Sequence, residues 1–236
     1  MLIRRDGLLV GQPAHAWVSG QLARAWSPAP SPWEAVCLAA EQHDVGWVDA
    51  DLAPLLGPDG KPRSFLEYPR REHVAIWRSA ARRMLAQSRY AALLVSLHGT
   101  SLYDRVDADA HPPDVGAEIA DYLRGQRELQ AELARGLDPA EVDRNRRLLL
   151  AWDRFSLALC HEQAATIAGV PDWGELSVAA PAAGIVAVAP WPFAVERVVA
   201  GCEARRLEGT FADAASLHAA LAAAPWVPLR FTLTAG

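Results

Sequence analysis

Four histidines and two aspartates carry the chemistry open to this sequence: His15, the adjacent pair His43-Asp44, His73, His98 and Asp153. Asp153 is the most telling, because it lies within the apolar stretch Leu148-Leu149-Leu150-Ala151-Trp152-Asp153-Arg154-Phe155-Ser156-Leu157. A carboxylate there is costly unless a cation or several hydrogen bonds compensate it. Imidazoles and carboxylates without a thiolate suit borderline to hard cations, so the expected cofactor is one or two divalent ions drawn from Fe, Mn, Mg, Co, Ni or Zn. Plainer roles stay open beside that one. His43-Asp44 with Asp153 can be a buried hydrogen-bonded pair, His15 a helix histidine satisfied by a carbonyl, and His73 a surface residue in a first helical turn. Gln12, Trp47, Thr100, Tyr103 and Arg154 flank these positions and are the candidates for substrate binding. His111, His161 and His218 are read as ordinary loop or helix positions.

The elements that must position these groups are helices over most of the chain. Apolar residues recur at helical spacing over Pro13 to Trp26, and Ser31-Pro32-Trp33-Glu34 reads as a capped helix start with Glu34 closing a capping box. Further helices are expected over Glu72 to Gln87, Val115 to Arg135 and Asp138 to about Ala168. Residues 49–69 read as a long proline- and glycine-rich loop, a kind that is often functional in a compact domain. The charged segment Asp104 to Asp114 is expected to be mobile. After Pro171 short strands are expected at Leu176-Ser-Val, Gly184-Ile-Val-Ala-Val and Val227 to Thr234, with a helix over Asp213 to Ala223. The expected fold is therefore mainly α: a helical metal-binding domain over residues 1–170, and a small β-containing C-terminal appendage over 171–236 packed on it.

The pair His43-Asp44, set in the order His15, His43-Asp44, His73, His98, Asp153, resembles the ligand pattern of the dinuclear branch of the HD superfamily. The strings His43-Asp44-Val-Gly-Trp47, Leu94-Val-Ser-Leu-His98-Gly-Thr-Ser-Leu-Tyr103, Trp152-Asp153-Arg-Phe-Ser-Leu157 and Pro190-Trp-Pro-Phe193 also resemble a bacterial family of unknown function related to that superfamily. The resemblance implies an HD-like helical bundle, with His15, His43, Asp44 and Asp153 on one ion and His73 and His98 on a second, bridged by Asp44. It implies a metal-dependent phosphohydrolase acting on a small phosphorylated metabolite or nucleotide, with Asp44 as the catalytic residue orienting a metal-activated hydroxide. A di-iron oxygenase on the same ligands and a non-catalytic metal-binding module are the alternatives, since a shared fold does not select a reaction.

Composition narrows the partners. The chain has 236 residues and a formal net charge of −5, and Lys61 is its only lysine. That argues against nucleic acid held by a general basic surface and against a lysine-assisted phosphate site. Two divalent ions would bring the net charge to about −1, so an anionic small molecule remains the expected partner. Cys37, Cys160 and Cys202 lack metal-knuckle spacing and fit buried thiols in a reducing, cytoplasmic setting. No apolar run reaches the roughly 18 residues a spanning helix requires, so no membrane association is expected.

Overall fold

Helical periodicity in the sequence becomes helices with slightly shifted ends in the computed structural model. It describes residues 1–103, 106 and 110–236; the remainder of the charged segment, and with it much of the expectation of mobility there, lies outside the described residues. The helices are α1 Gln12–Ala25, α2 Trp33–Gln42, α3 Val48–Leu52, α4 Arg70–Met84, α5 Arg89–Ser101, α6 Pro113–Leu133, α7 Pro139–His161 and α8 Ala214–Ala223. Asp138 caps α7 by accepting from Ala140 N, with Pro139 at the first helical position, where its missing N–H is harmless. The capping box expected at α2 does not form: Pro32 takes the cap position and no side chain bonds there. The apolar run before His98 is α5. It is buried on nearly every face from Tyr90 to Ser96, which explains why no amphipathic period is visible in it.

The C-terminal part overturns the expected fold class. Helix α7 stops at His161, well short of Ala168, because Glu162 adopts left-handed backbone (φ 54) and its N–H turns back to the Ala158 and Leu159 carbonyls. Strand β3 (Ala165–Val170) follows, then β4 Gly174–Val178, β5 Ile185–Ala189, β6 Arg197–Arg206 and β7 Trp226–Ala235. The N-terminal strands β1 (Leu2–Ile3) and β2 (Leu8–Val10) join them in one seven-stranded sheet of order β1-β2-β6-β7-β5-β4-β3. Pairing is antiparallel except between β5 and β7, and the sheet is curled into a half-barrel. The chain is thus neither all-α nor an HD-like bundle with a small α/β appendage. Two- and three-residue strands leave no alternation to read, and β2 finds its partner β6 almost 200 residues away, a pairing no local pattern announces.

The sheet is structural support for the helices. Alternate residues of β6, Val198, Ala200, Cys202 and Ala204, are buried. Helix α1 packs on β6, where the Gln21 amide donates to Gly201 O (2.8 Å) and accepts from Gly201 N (3.0 Å). Residues of helices and sheet share one continuous core, in which Phe193 of the Pro190–Phe193 segment plugs the space against Trp26 and Phe155. The loop over 49–69 contains α3 and a single 3-10 turn, Phe65–Glu67, locked by a capping box between Ser64 and Glu67. No described helix is long and apolar enough to cross a membrane.

The turn after α2 presses directly on α4. A Cβ built on Gly46 would lie 2.5 Å from Ile76 O, so only glycine lets this turn, which carries Asp44 and Trp47, approach so closely. Gly46→Ala is expected to destabilise the protein by about 1–3 kcal/mol, the usual cost of overpacking. Gly125→Ala, at an exposed α6 position with nothing within 4 Å, is expected to be neutral or stabilising. Urea denaturation of the two variants checks this; equal midpoints would contradict the close packing.

Candidate functional site

Three helices and one turn deliver five of the six expected ligands to one point. Along α1, Gln12, His15 and Ser19 form a stripe at helical spacing, all buried toward the interior. Ser19 Oγ donates to Ser156 Oγ (2.9 Å), Ser156 Oγ donates to Asp153 O (2.9 Å), and His15 Nδ1 lies 2.9 Å from the same Ser156 hydroxyl. With that hydroxyl hydrogen committed to Asp153 O, Nδ1 of His15 is the donor and Nε2 is left facing Asp44. Nε2 stands 2.6 Å from Asp44 Oδ2, a contact that requires a proton or a cation between two acceptors.

His43 follows the last residue of α2, and its Nδ1 donates to Ala40 O (2.8 Å), a carbonyl the helix end leaves open. This fixes the ring and turns Nε2 inward, 3.4 Å from Asp153 Oδ1 and 3.7 Å from Asp44 Oδ2. Nε2 is buried and has no hydrogen-bond partner among the described residues. His98, on α5, stacks edge-on against His43 at 4.9 Å and holds Nε2 4.0 Å from Asp153 Oδ2; its Nδ1 is likewise buried without a partner. His15, His43 and Asp44, and again His43, His98 and Asp153, each gather ligand atoms closely enough to hold a metal ion. Buried polar atoms left without partners, carboxylates beside them and imidazole tautomers fixed by outer hydrogen bonds suit a divalent cation.

The electrostatics follow from the same packing. Burial opposes the charge on His43, but Asp44 and Asp153 outweigh it and push the imidazole up to about 9. Burial also opposes ionisation of Asp153, yet the close imidazoles of His43, His98 and His15 hold its carboxyl well below the usual range. His98 has no such surplus of carboxylate, so burial takes it down to about 4.

His73 stands apart from this cluster. It lies on α4 in the wall of the same cleft, with Nδ1 2.6 Å from Tyr103 OH, while Trp77 Nε1 donates to Nε2 (3.3 Å). Both ring nitrogens are therefore engaged, and burial together with Arg70 lowers the imidazole to about 4. Of the substrate-binding candidates, Gln12 and Trp47 line the cleft, whose volume is about 270 Å³. Tyr103 sits behind His73. Thr100 turns to α6, donating to Leu97 O and accepting from Gln130 Nε2. Arg154 is exposed, because one step along α7 from Asp153 rotates it off the buried face. Sequence reasoning missed Arg70, which faces the cleft, and Ser156, which orients His15. Each stands three residues from a selected position, His73 or Asp153, a spacing that shares a helix face.

Helices on a mixed, curled sheet, centred on a buried His/Asp cluster that can hold a cation, define the class of protein. The chain belongs to the family described as protein of unknown function (DUF3891), whose model matches residues 1–209. No curated protein and no solved structure matches it.

These shifts set the pH profile of the metal-free protein. His43, raised in the fold, adds stability that is complete below its ordinary value of 6.5 and vanishes as pH rises through about 9. His98 and His73, depressed to about 4, subtract stability as pH falls from 6.5, because the unfolded chain takes up protons that the fold refuses. Thermal melts in chelator are expected to peak near pH 6.5 and decline on both sides. A melting temperature rising steadily from pH 5 to pH 9 would contradict this.

Proposed function

We propose that this protein is a metal-dependent phosphohydrolase with one divalent ion held by His15, His43, Asp44, His98 and Asp153. The observation that carries the reading is His43 Nε2, buried, unbonded and faced by two carboxylates. An imidazole nitrogen has one lone pair, and His43 Nδ1 is already committed to Ala40. The two triads that share His43 therefore describe one ion site. The separations of 3.4–4.0 Å between His43 or His98 and the carboxylate oxygens match neighbouring ligands about 2.1 Å from a common centre. The order of these residues resembles the HD superfamily's ligand set, and we propose a relationship to it at the level of this site, carried on a fold that includes a sheet.

Held by these five residues, a divalent ion would supply Lewis acidity toward a phosphoryl oxygen and a water. The net reaction adds water across the ester: the water oxygen joins phosphorus, the P–O bond to the alcohol breaks, and a water proton leaves with the alcohol. Asp44, held ionised by His43 and His15 against the cost of burial, orients the attacking water. Arg70 at the cleft wall attracts the anionic substrate, supplying the local cation that an overall acidic chain requires. The five-residue cluster favours this reading over the di-iron alternative, since the engaged nitrogens of His73 leave a second ion without its expected ligand.

Metal analysis of the purified protein and of a His43→Ala, Asp44→Ala variant tests this. The native chain is expected to hold a divalent ion and hydrolyse members of a phosphoester panel, and the variant to lose both. Ser156→Ala is expected to weaken metal affinity about 10–100-fold by releasing His15. Full metal content in the double variant would sink the proposal.

A further inference from the structure

We propose that the cleft in front of this centre accepts an amphiphilic phosphoester, with a small anionic head and an apolar body, rather than a nucleotide or a sugar phosphate. This assignment rests on the phosphohydrolase reading and narrows its substrate class. Hydrogen-bonding capacity distinguishes the two kinds of ligand. Outside the five-residue cluster, the lining's one hydroxyl and its remaining imidazole are already committed. Tyr68 OH donates to Ala50 O (3.1 Å) and accepts from Leu55 N (3.3 Å). The His73 ring is engaged by Tyr103 and Trp77. Uncommitted capacity remains at the Gln12 amide, whose Oε1 is buried without a partner, and at donors alone: Trp47 Nε1, and the Arg70 guanidinium, which stands 5.8 Å from the Tyr103 ring. A ribose or hexose would bring several hydroxyls into this space with no free hydroxyl or carboxylate to receive them, and buried unpaired polar groups cost affinity.

The apolar side of the cleft is correspondingly unfilled. Leu66 and Leu102 line it while remaining 78% and 40% exposed. Leu66 sits on the 3-10 turn that the Ser64–Glu67 capping box locks, so a fixed turn presents this leucine to solvent. Phe65 extends the same wall. The volume of about 270 Å³ falls just below the usual range of small-molecule pockets, enough for a head group and part of a body that continues between the two leucines. Arg70, three residues before His73 on α4, adds the positive charge that draws the head inward.

Calorimetric titration of the protein as purified tests this with three non-hydrolysable probes: phenylphosphonate, methylphosphonate and the methylene phosphonate analogue of AMP. Phenylphosphonate is expected to bind at least about tenfold more tightly than either of the others, as burial of part of a phenyl ring requires. Leu66→Ser with Leu102→Ser, both exposed positions, is expected to erase that preference and leave methylphosphonate unchanged. Arg70→Ala is expected to weaken phenylphosphonate and methylphosphonate alike. Equal or tighter binding of the AMP analogue, or a preference that survives the leucine changes, would overturn the assignment. Metal analysis of the same samples separates the two claims. Metal retained without the preference defeats the amphiphile cleft alone, whereas the preference without metal defeats the phosphohydrolase reading and leaves the amphiphile cleft standing.

Discussion

Two carboxylates in the middle of a protein core are the constraint to which the rest of this structure answers. Asp44 and Asp153 are both buried, and neither is paired with arginine or lysine among the described residues. Their charge is balanced by imidazoles on other elements, so α1, α5, α7 and the turn after α2 have to meet at one point. Replacing any one of these groups leaves the others as uncompensated buried polar atoms, which is why the cluster acts as a unit.

Second-layer contacts give the cluster its direction. Ser19 and Ser156 set the tautomer of His15, and Ala40 O sets that of His43. These bonds point basic nitrogens toward carboxylates, an arrangement that repels itself when empty and neutral and relaxes on taking up a proton or a cation. The sheet contributes at a distance. It holds α1 through Gln21 and Gly201, and its buried residues share one core with the helices.

Much of the cluster is legible in the sequence, and much of the scaffold is not. An aspartate in an apolar helical stretch cannot be idle, and that alone singles out Asp153. The adjacent His43-Asp44 is visible because it follows a helix and precedes Gly46. The sheet is hidden because its N-terminal hairpin is minimal, its pairings are distant, and β6 alternates small residues such as Ala200 and Ala204 rather than large ones. The left-handed residue ending α7 is Glu162, not a glycine, so nothing in the sequence signals the stop. His73 owes its surroundings to packing rather than to pattern. Its type and place in the order suggest a ligand, while its partners Tyr103 and Trp77, one of them 30 residues away, are set by tertiary packing.

Whether His43 anchors a single ion is decided by the number of ions per chain, measured by elemental analysis of the purified protein and of a His73→Ala variant. One site built around His43, with His73 outside it, requires one divalent ion per chain in both proteins. Two ions in the native chain with one lost on replacing His73, or no ion in either, would contradict the account.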